Sequence, residues 1–252
     1  MDHQVIDSHC HLDFPKFNKD RDDTIQRARK IGVDQMINSG VDPKTNISSL
    51  ELSQRYEYIH ATLGFSPHLS PEATDERVRQ MLAFIEDNVA RIVGIGEAGL
   101  DYHYFNSNAE RNRQIEVFKQ VIELADRYNK PLVIHGREAE DVALGLAGHL
   151  DKVIFHCYGG DLQTMRNIVD AGHFISIPTL VCFSEHHQEI AKEAPLEHML
   201  LETDSPYLSP RKGRNEPAFI TDSLPWISDL KGIQEMDIAE VTRKNTIRVF
   251  GL

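Results

Sequence analysis

Val5-Ile6-Asp7-Ser8-His9-Cys10-His11-Leu12-Asp13 runs two apolar residues straight into Asp7, His9 and His11 at alternate positions. Successive side chains on a strand point to opposite faces, so an extended Val5 to Leu12 turns Asp7, His9 and His11 one way and Cys10 the other. Two imidazoles two residues apart at a strand's exit can grip one divalent ion, with Asp7 on the same face. The spacing alone is weak: with 13 His in 252 residues, an HxH triplet arises by chance about 0.7 times. Its meaning depends on what the rest of the chain brings to the same place.

Working outward, short runs rich in Val and Ile alternate with longer amphipathic stretches to the end of the chain. Candidate strands are Val5 to Leu12, Gln35 to Gly40, Tyr58 to Phe65, Ile92 to Glu97, Leu132 to Arg137, Val153 to Tyr158, His173 to Ile177 and Met199 to Asp204. Between them, Ala109 to Tyr128 repeats Ile115, Phe118, Val121, Ile122 and Ala125 at the spacing of one buried helix face, and Asn129-Lys130-Pro131 ends it. Glu72 to Asn88 does the same with Val78, Met81, Leu82 and Ile85, and Ala239 to Phe250 closes the chain ahead of Gly251. Eight strand and helix units predict a parallel sheet closed into a TIM-type (β/α)8 barrel, with an open doubly wound sheet as the alternative. A length of 252 residues suits one such barrel as a single domain, 1–252.

Hydrophobic residues at 40% and charged residues at 26% describe an ordinary globular protein, and no apolar run approaches a membrane span. The opening MDHQ carries no basic region followed by an apolar core, so a cytoplasmic location is the expectation. Cys10, Cys157 and Cys182 show no CxxC spacing, which argues against a disulfide framework or a thiolate zinc site. The net charge of −12 excludes binding of a polyanion by a diffuse basic face, so any nucleic acid partner must be held by local cations.

Barrels of this kind gather their reactive groups at the C-terminal ends of the strands. There this chain places His9 and His11, Glu97 in GIGEAGLD, His135 in VIHGR, His156 in IFHCY and Asp204 in LLETD. Converging on one rim, these groups need a cation to offset their desolvation. Oxygen donors mixed with imidazoles suit Zn, Mn or Mg, and six ligands exceed the need of one tetrahedral ion. Two divalent ions with Glu97 as the bridge follow as the economical arrangement.

The motifs DSHCHLD, GEAGLDY, IHGREA, FHCY, LLETDSPYLSP, RNEP and TRKNTIRVFG, in that order and over essentially the whole chain, resemble the TatD family of metal-dependent deoxyribonucleases. The resemblance implies one metal held by His9, His11, Glu97 and Asp204 and a second held by Glu97, His135 and His156. Where the family commonly has a Gly-x-His-Pro turn, this chain reads Gly64-Phe65-Ser66-Pro67 followed by His68, so a substrate contact from this loop does not carry over from the resemblance. IHGREA also has Gly136 where a bulkier residue often sits.

Two adjacent divalent ions suit in-line displacement at phosphorus. Asp204 is the candidate for orienting the attacking water, with a pure ligand role as the alternative, and Glu97 is the bridge between the ions. Arg137 shares parity with His135 and is read either as a phosphate clamp or as an internal partner of Glu202 or Asp101. Arg211, Lys212 and Arg214 in SPRKGRN are read as the local cations that the acidic total requires, with a solvated loop as the alternative, and Tyr102, Tyr158 and Tyr207 either as stacking partners for bases or as packing at the rim. His186-His187 and Asp22-Asp23 are read as solvated surface.

The expected substrate is DNA, with RNA as a variant, engaged at single-stranded ends in exonuclease fashion. No membrane and no obligate protein partner is expected. The rival classes are a metal hydrolase of amide, lactone or ester bonds in a small molecule and a metal-dead binding barrel.

Overall fold

The computed structural model describes residues 4–252; residues 1–3, most of the MDHQ stretch on which the cytoplasmic expectation rests, lie outside the described residues. The strands are β1 (Val5–Cys10), β2 (Val33–Ser39), β3 (Ile59–Phe65), β4 (Gly94–Asp101), β5 (Leu132–Arg137), β6 (Val153–His156), β7 (Phe174–Ile177) and β8 (Met199–Leu201). They pair in parallel in chain order, so the expected barrel is the observed one. The helices are α1 (Arg21–Lys30), α2 (Pro43–Arg55), α3 (Asp75–Asp87), α4 (Asn108–Tyr128), α5 (Glu140–Ala147), α6 (Leu162–Asp170), α7 (Glu185–Glu193), α8 (Ser223–Lys231) and α9 (Glu235–Phe250).

Two apolar layers follow from the pleat. One joins strand residues such as Cys10, Met36, Ile95 and Phe155 to helix residues such as Ile25, Phe118 and Ile190, burying one face of each strand against the helices. The other gathers Ile37, Val133, Ile154, Phe174 and Leu200 with Val249 and Phe250 from the end of α9. The last helix thus stoppers the barrel at the end opposite the reactive groups. Gly94 makes room for it, since a Cβ there would meet the Phe250 ring at 3.3 Å.

The ring closes past the end of β8. Asp204 N–H donates to His9 O at 3.0 Å and His11 N–H donates to Ser205 O at 2.8 Å. Asp7 completes this seam, accepting from the Thr203 N–H at 3.0 Å and the Thr203 hydroxyl at 2.6 Å. The grouping of Asp7 with His9 and His11 as one chelate is therefore corrected. The β1–β2 register shifts between Asp7 and Cys10, and the buried Asp7 carboxyl bonds across the seam, below the imidazoles. Cys10 does face away, its thiol reaching Ile37 O at 3.4 Å.

Several strand ends differ from the periodicity. Strand six stops short because Cys157, directly after it, adopts φ of 46, a left-handed conformation that leaves the ladder, and strand eight already ends at Leu201. Strand four instead begins at Gly94 and runs on to Asp101. The second amphipathic stretch starts its helix at Asp75, capped by Thr74, because Ser70–Glu72 forms a separate 3-10 turn. The closing helix extends back to Glu235.

Candidate metal centre

Glu97 stands at the middle of the rim with one oxygen turned to each side. Its Oε2 lies 3.2 Å from His9 Nε2 and 3.6 Å from His11 Nε2. Its Oε1 lies 3.1 Å from His135 Nδ1 and 3.6 Å from His156 Nε2. Asp204 Oδ1 joins the first side at 3.4 Å from His11 Nε2, while His9 Nε2 and His11 Nε2 face each other at 3.3 Å. On the second side His156 Nε2 lies 3.3 Å from His135 Nδ1. The six residues singled out in the sequence thus come together as two donor sets sharing one carboxylate.

Backbone packing fixes Glu97 there. A Cβ on Gly64 would stand 2.2 Å from Glu97 O, and one on Gly96, which has φ +131, would stand 2.3 Å from Val133 O. Strands β3 and β5 therefore close on either side of β4 only because these positions carry no side chain.

A polar layer beneath orients the imidazoles. His11 Nδ1 lies 2.8 Å from the carbonyl of Ser39, which can only accept, so Nδ1 carries a hydrogen and Nε2 is the atom turned to Glu97 and Asp204. His9 Nδ1 lies 3.2 Å from Ser39 Oγ. His135 Nε2 donates to Asp101 Oδ2 at 3.1 Å, leaving Nδ1 for Glu97. His156 Nδ1 lies 3.7 Å from Glu202 Oε1, and neither buried atom has a hydrogen-bond partner among the described residues.

This donor set fits divalent ions. Imidazole lone pairs and carboxylate oxygens aimed at one point repel each other unless a proton or a cation lies between them. Burial opposes charge on His11, yet Asp204 and Glu97 raise it to about 9. Burial likewise opposes charge on Glu97, but His156, His135 and His9 hold it well below the carboxylate range. Asp204, also disfavoured by burial, is kept low by His11. Both carboxylates stay anionic, and imidazole and carboxylate donors together suit a hard or borderline metal.

The residues expected to hold substrate divide. Arg137 points outward at the end of β5, its guanidinium 4.9 Å from the centre of the Tyr104 ring, and lines a cleft of about 830 Å³ above the cluster. Its alternative internal pairing is not formed, since Asp101 bonds His68 and His135 and Glu202 accepts from Ser176. Arg211 and Arg214 do not face this cleft, which corrects their reading as free cations. Arg211 pairs with both oxygens of Asp222 at 2.7 and 2.6 Å and lines a different cavity, of about 970 Å³, between α1 and α8. Arg214 pairs with both oxygens of Asp20 at 2.7 and 2.8 Å and lies over Phe17. Lys212 is exposed in the same loop and is not on the cleft wall.

Tyr158 is fully buried and its hydroxyl donates to Asp161 O at 2.7 Å, so it is a core residue with no face for a base. Tyr102 is half-buried beneath Arg111 and packs on the core. Tyr207 does line the cleft, 45% exposed. The cleft also contains Phe14, Tyr104 and His68, which periodicity and strand-end reasoning pass over. Tyr104 is 60% exposed. His68, from the loop that departs from the family turn, reaches the rim with Nε2 2.9 Å from Asp101 Oδ2. His187 is half-buried rather than solvated, and burial with the neighbouring His186 lowers it to about 4.

The family model described as TatD related DNase matches residues 6–251. A metal-dependent hydrolase of Methanocaldococcus jannaschii is 38% identical over 250 residues, covering 99% of this chain and 98% of that protein. The deoxyribonuclease TATDN3 of Homo sapiens is 32% identical over 258 residues, covering 98% of this chain and 94% of that protein. Among solved structures, the TatD homolog YJJV of Escherichia coli K12 superimposes with a TM-score of 0.90 at 27% identity, covering 100% of both chains. Among the described residues no helix is long and apolar enough to cross a membrane.

Proposed function

This chain belongs to the TatD-related DNase family of metal-dependent hydrolases, and from that premise we propose that it hydrolyses phosphodiester bonds of DNA at single-stranded ends. The observation that carries the reading is the split of the Glu97 carboxylate, Oε2 toward His9 and Oε1 toward His135, beneath a cleft walled by Arg137 and aromatic rings. His9, His11, Glu97 and Asp204 would hold one divalent ion, and Glu97, His135 and His156 the second. When bound, such a pair supplies an activated water and charge neutralisation at the phosphoryl oxygens. The acting unit is the whole barrel, 1–252.

The chain's own residues have separate tasks. Asp204, held anionic by His11, orients the attacking water and accepts its proton. Arg137 holds a phosphate oxygen at the cleft mouth. Tyr104, Phe14 and Tyr207 offer ring faces to unstacked bases, which a single strand can present and a duplex cannot. Zn, Mn and Mg all suit the donors.

The test is a metal-dependent assay of bis-p-nitrophenyl phosphate beside p-nitrophenyl acetate, followed by single- and double-stranded DNA and RNA. The reading expects phosphodiester cleavage that chelation abolishes, with single-stranded DNA turned over faster than duplex. Ester cleavage without phosphodiester cleavage would instead favour a small-molecule hydrolase.

A further inference from the structure

Beside the aromatic cleft, a second chamber of about 440 Å³ opens onto the same floor, sharing His135, His156 and Asp204 with it. The two spaces meet at Arg137, whose guanidinium lies over Tyr104 on the cleft side. Arg137 lines both spaces, while the rings that suit bases, Phe14, Tyr104 and Tyr207, gather on the cleft side alone. Across Arg137 the chamber is walled by Glu138, Glu140, Cys157 and His187. Glu138 Oε1 lies 2.7 Å from His103 Nδ1 at this wall.

His187 belongs to the first turn of α7 and is held in place from two directions. Ser184, the capping residue of α7, lies 2.9 Å from its Nδ1. The adjacent His186 ties the start of the helix to Gly159 O at 2.8 Å, and a Cβ on Gly159 would stand 3.8 Å from His187 Nε2. Among the described residues Nε2 makes no hydrogen bond. A half-buried imidazole fixed by one nitrogen and lining a cavity has its other nitrogen free for a ligand.

We propose that this chamber is the subsite for one terminal nucleoside of the strand, entered hydroxyl end first, with His187 hydrogen-bonding that nucleoside. The proposal rests on the phosphodiesterase reading above. The volume falls in the range of small-ligand pockets, roughly 300–1,000 Å³, enough for one nucleoside unit and too little for a continuing strand. Beyond Arg137, which stands at the junction of the two spaces, the wall chemistry selects the end group: a terminal phosphate carried past it would be brought beside the Glu138 and Glu140 carboxylates, whereas a hydroxyl can bond to them. His187 stays neutral near pH 7 because burial and His186 lower it to about 4, so it adds a hydrogen bond and no attraction for a phosphate.

The experiment uses the metal-loaded protein and single-stranded oligonucleotides of one sequence carrying a hydroxyl or a phosphate at each end, with bis-p-nitrophenyl phosphate as a substrate that lacks a nucleoside. A phosphate at one of the two ends is expected to lower kcat/KM about tenfold or more, and Glu138→Gln to narrow that gap. His187→Ala is expected to raise KM for the favoured oligonucleotide about five- to tenfold with kcat within about twofold. The ratio of oligonucleotide to bis-p-nitrophenyl phosphate efficiency falls accordingly, and His187→Gln restores part of it. A merely structural role would lower both efficiencies together without rescue by Gln. Indifference to both end phosphates, or an unchanged ratio in His187→Ala, overturns the proposal. A wild-type protein that cleaves bis-p-nitrophenyl phosphate and no oligonucleotide overturns the nuclease reading itself, and the subsite falls with it.

Discussion

Around Glu97, side chains from strands at four places on the ring turn nitrogen and oxygen atoms toward one another within 3.6 Å. In the loop after β8, Arg211 and Arg214 turn away from that centre to Asp222 and Asp20. Both regions carry dense charge in the sequence. At the rim, like-natured donors are forced together by strands whose direction is fixed by the ladder, so only protons or a cation from outside can answer the cluster. In the loop, each guanidinium chooses the nearest carboxylate, and its charge is already answered. Unanswered charge marks the site; answered charge holds the fold.

Breaking the rim should therefore cost far more than breaking the loop. Glu97→Gln removes the charge shared by both donor sets. We expect about a thousandfold or greater loss of phosphodiesterase turnover with fewer than two metal ions per chain, while circular dichroism stays native. Asp101→Asn comes next, because Asp101 bonds both His135 and His68. Loss of such a supporting carboxylate lowers metal affinity or activity by about 10- to 100-fold, readable as a shift in the metal-activation curve.

A third comparison sets one arginine against another. Arg137→Ala should raise KM for single-stranded DNA about tenfold, whereas Arg211→Ala should change it less than about twofold, its guanidinium being occupied by Asp222. With Arg211 and Arg214 so engaged, few phosphates are neutralised. Gripping ~2–3 of them predicts a slope of log affinity against log salt near −2. A steep slope, or equal losses from the two arginines, would break the contrast.

The smallest effect concerns the seam. Burial pushes the Asp7 carboxyl up to about 8, against the lowering influence of Thr203, well above the unfolded value of about 3.9. A raised folded pKa means that the contribution to stability is fully present below about pH 4 and is lost as pH rises through about 8. Asp7→Asn mimics the protonated form. Between pH 5 and 9 its Tm should fall less than that of the wild type, by about 2–4 °C, in metal-loaded protein followed by calorimetry.

The legible part of this molecule is the part governed by strand geometry. His135 and His156 could be placed because each ends an apolar run whose pairing partners are adjacent in the chain. Parity also placed Cys10 against the helices. It failed for Asp7 because the ladder slips between Asp7 and Cys10, and a slip leaves no trace in an alternating pattern. Loop residues carried no directional information at all. Arg214 found Asp20, 194 residues away, and nothing local announces that pairing. Tyr158 and Tyr104 both follow strand ends, yet one is buried and the other 60% exposed. His68 and His187 depend on how a turn and a helix cap aim them, which is decided by tertiary packing.

Anomalous scattering from crystals grown with manganese asks whether one carboxylate joins two metal sites. Two peaks should flank Glu97, one within coordination distance of Oε2, His9, His11 and Asp204, the other of Oε1, His135 and His156. A single peak, or two peaks of which one does not touch Glu97, would contradict that arrangement.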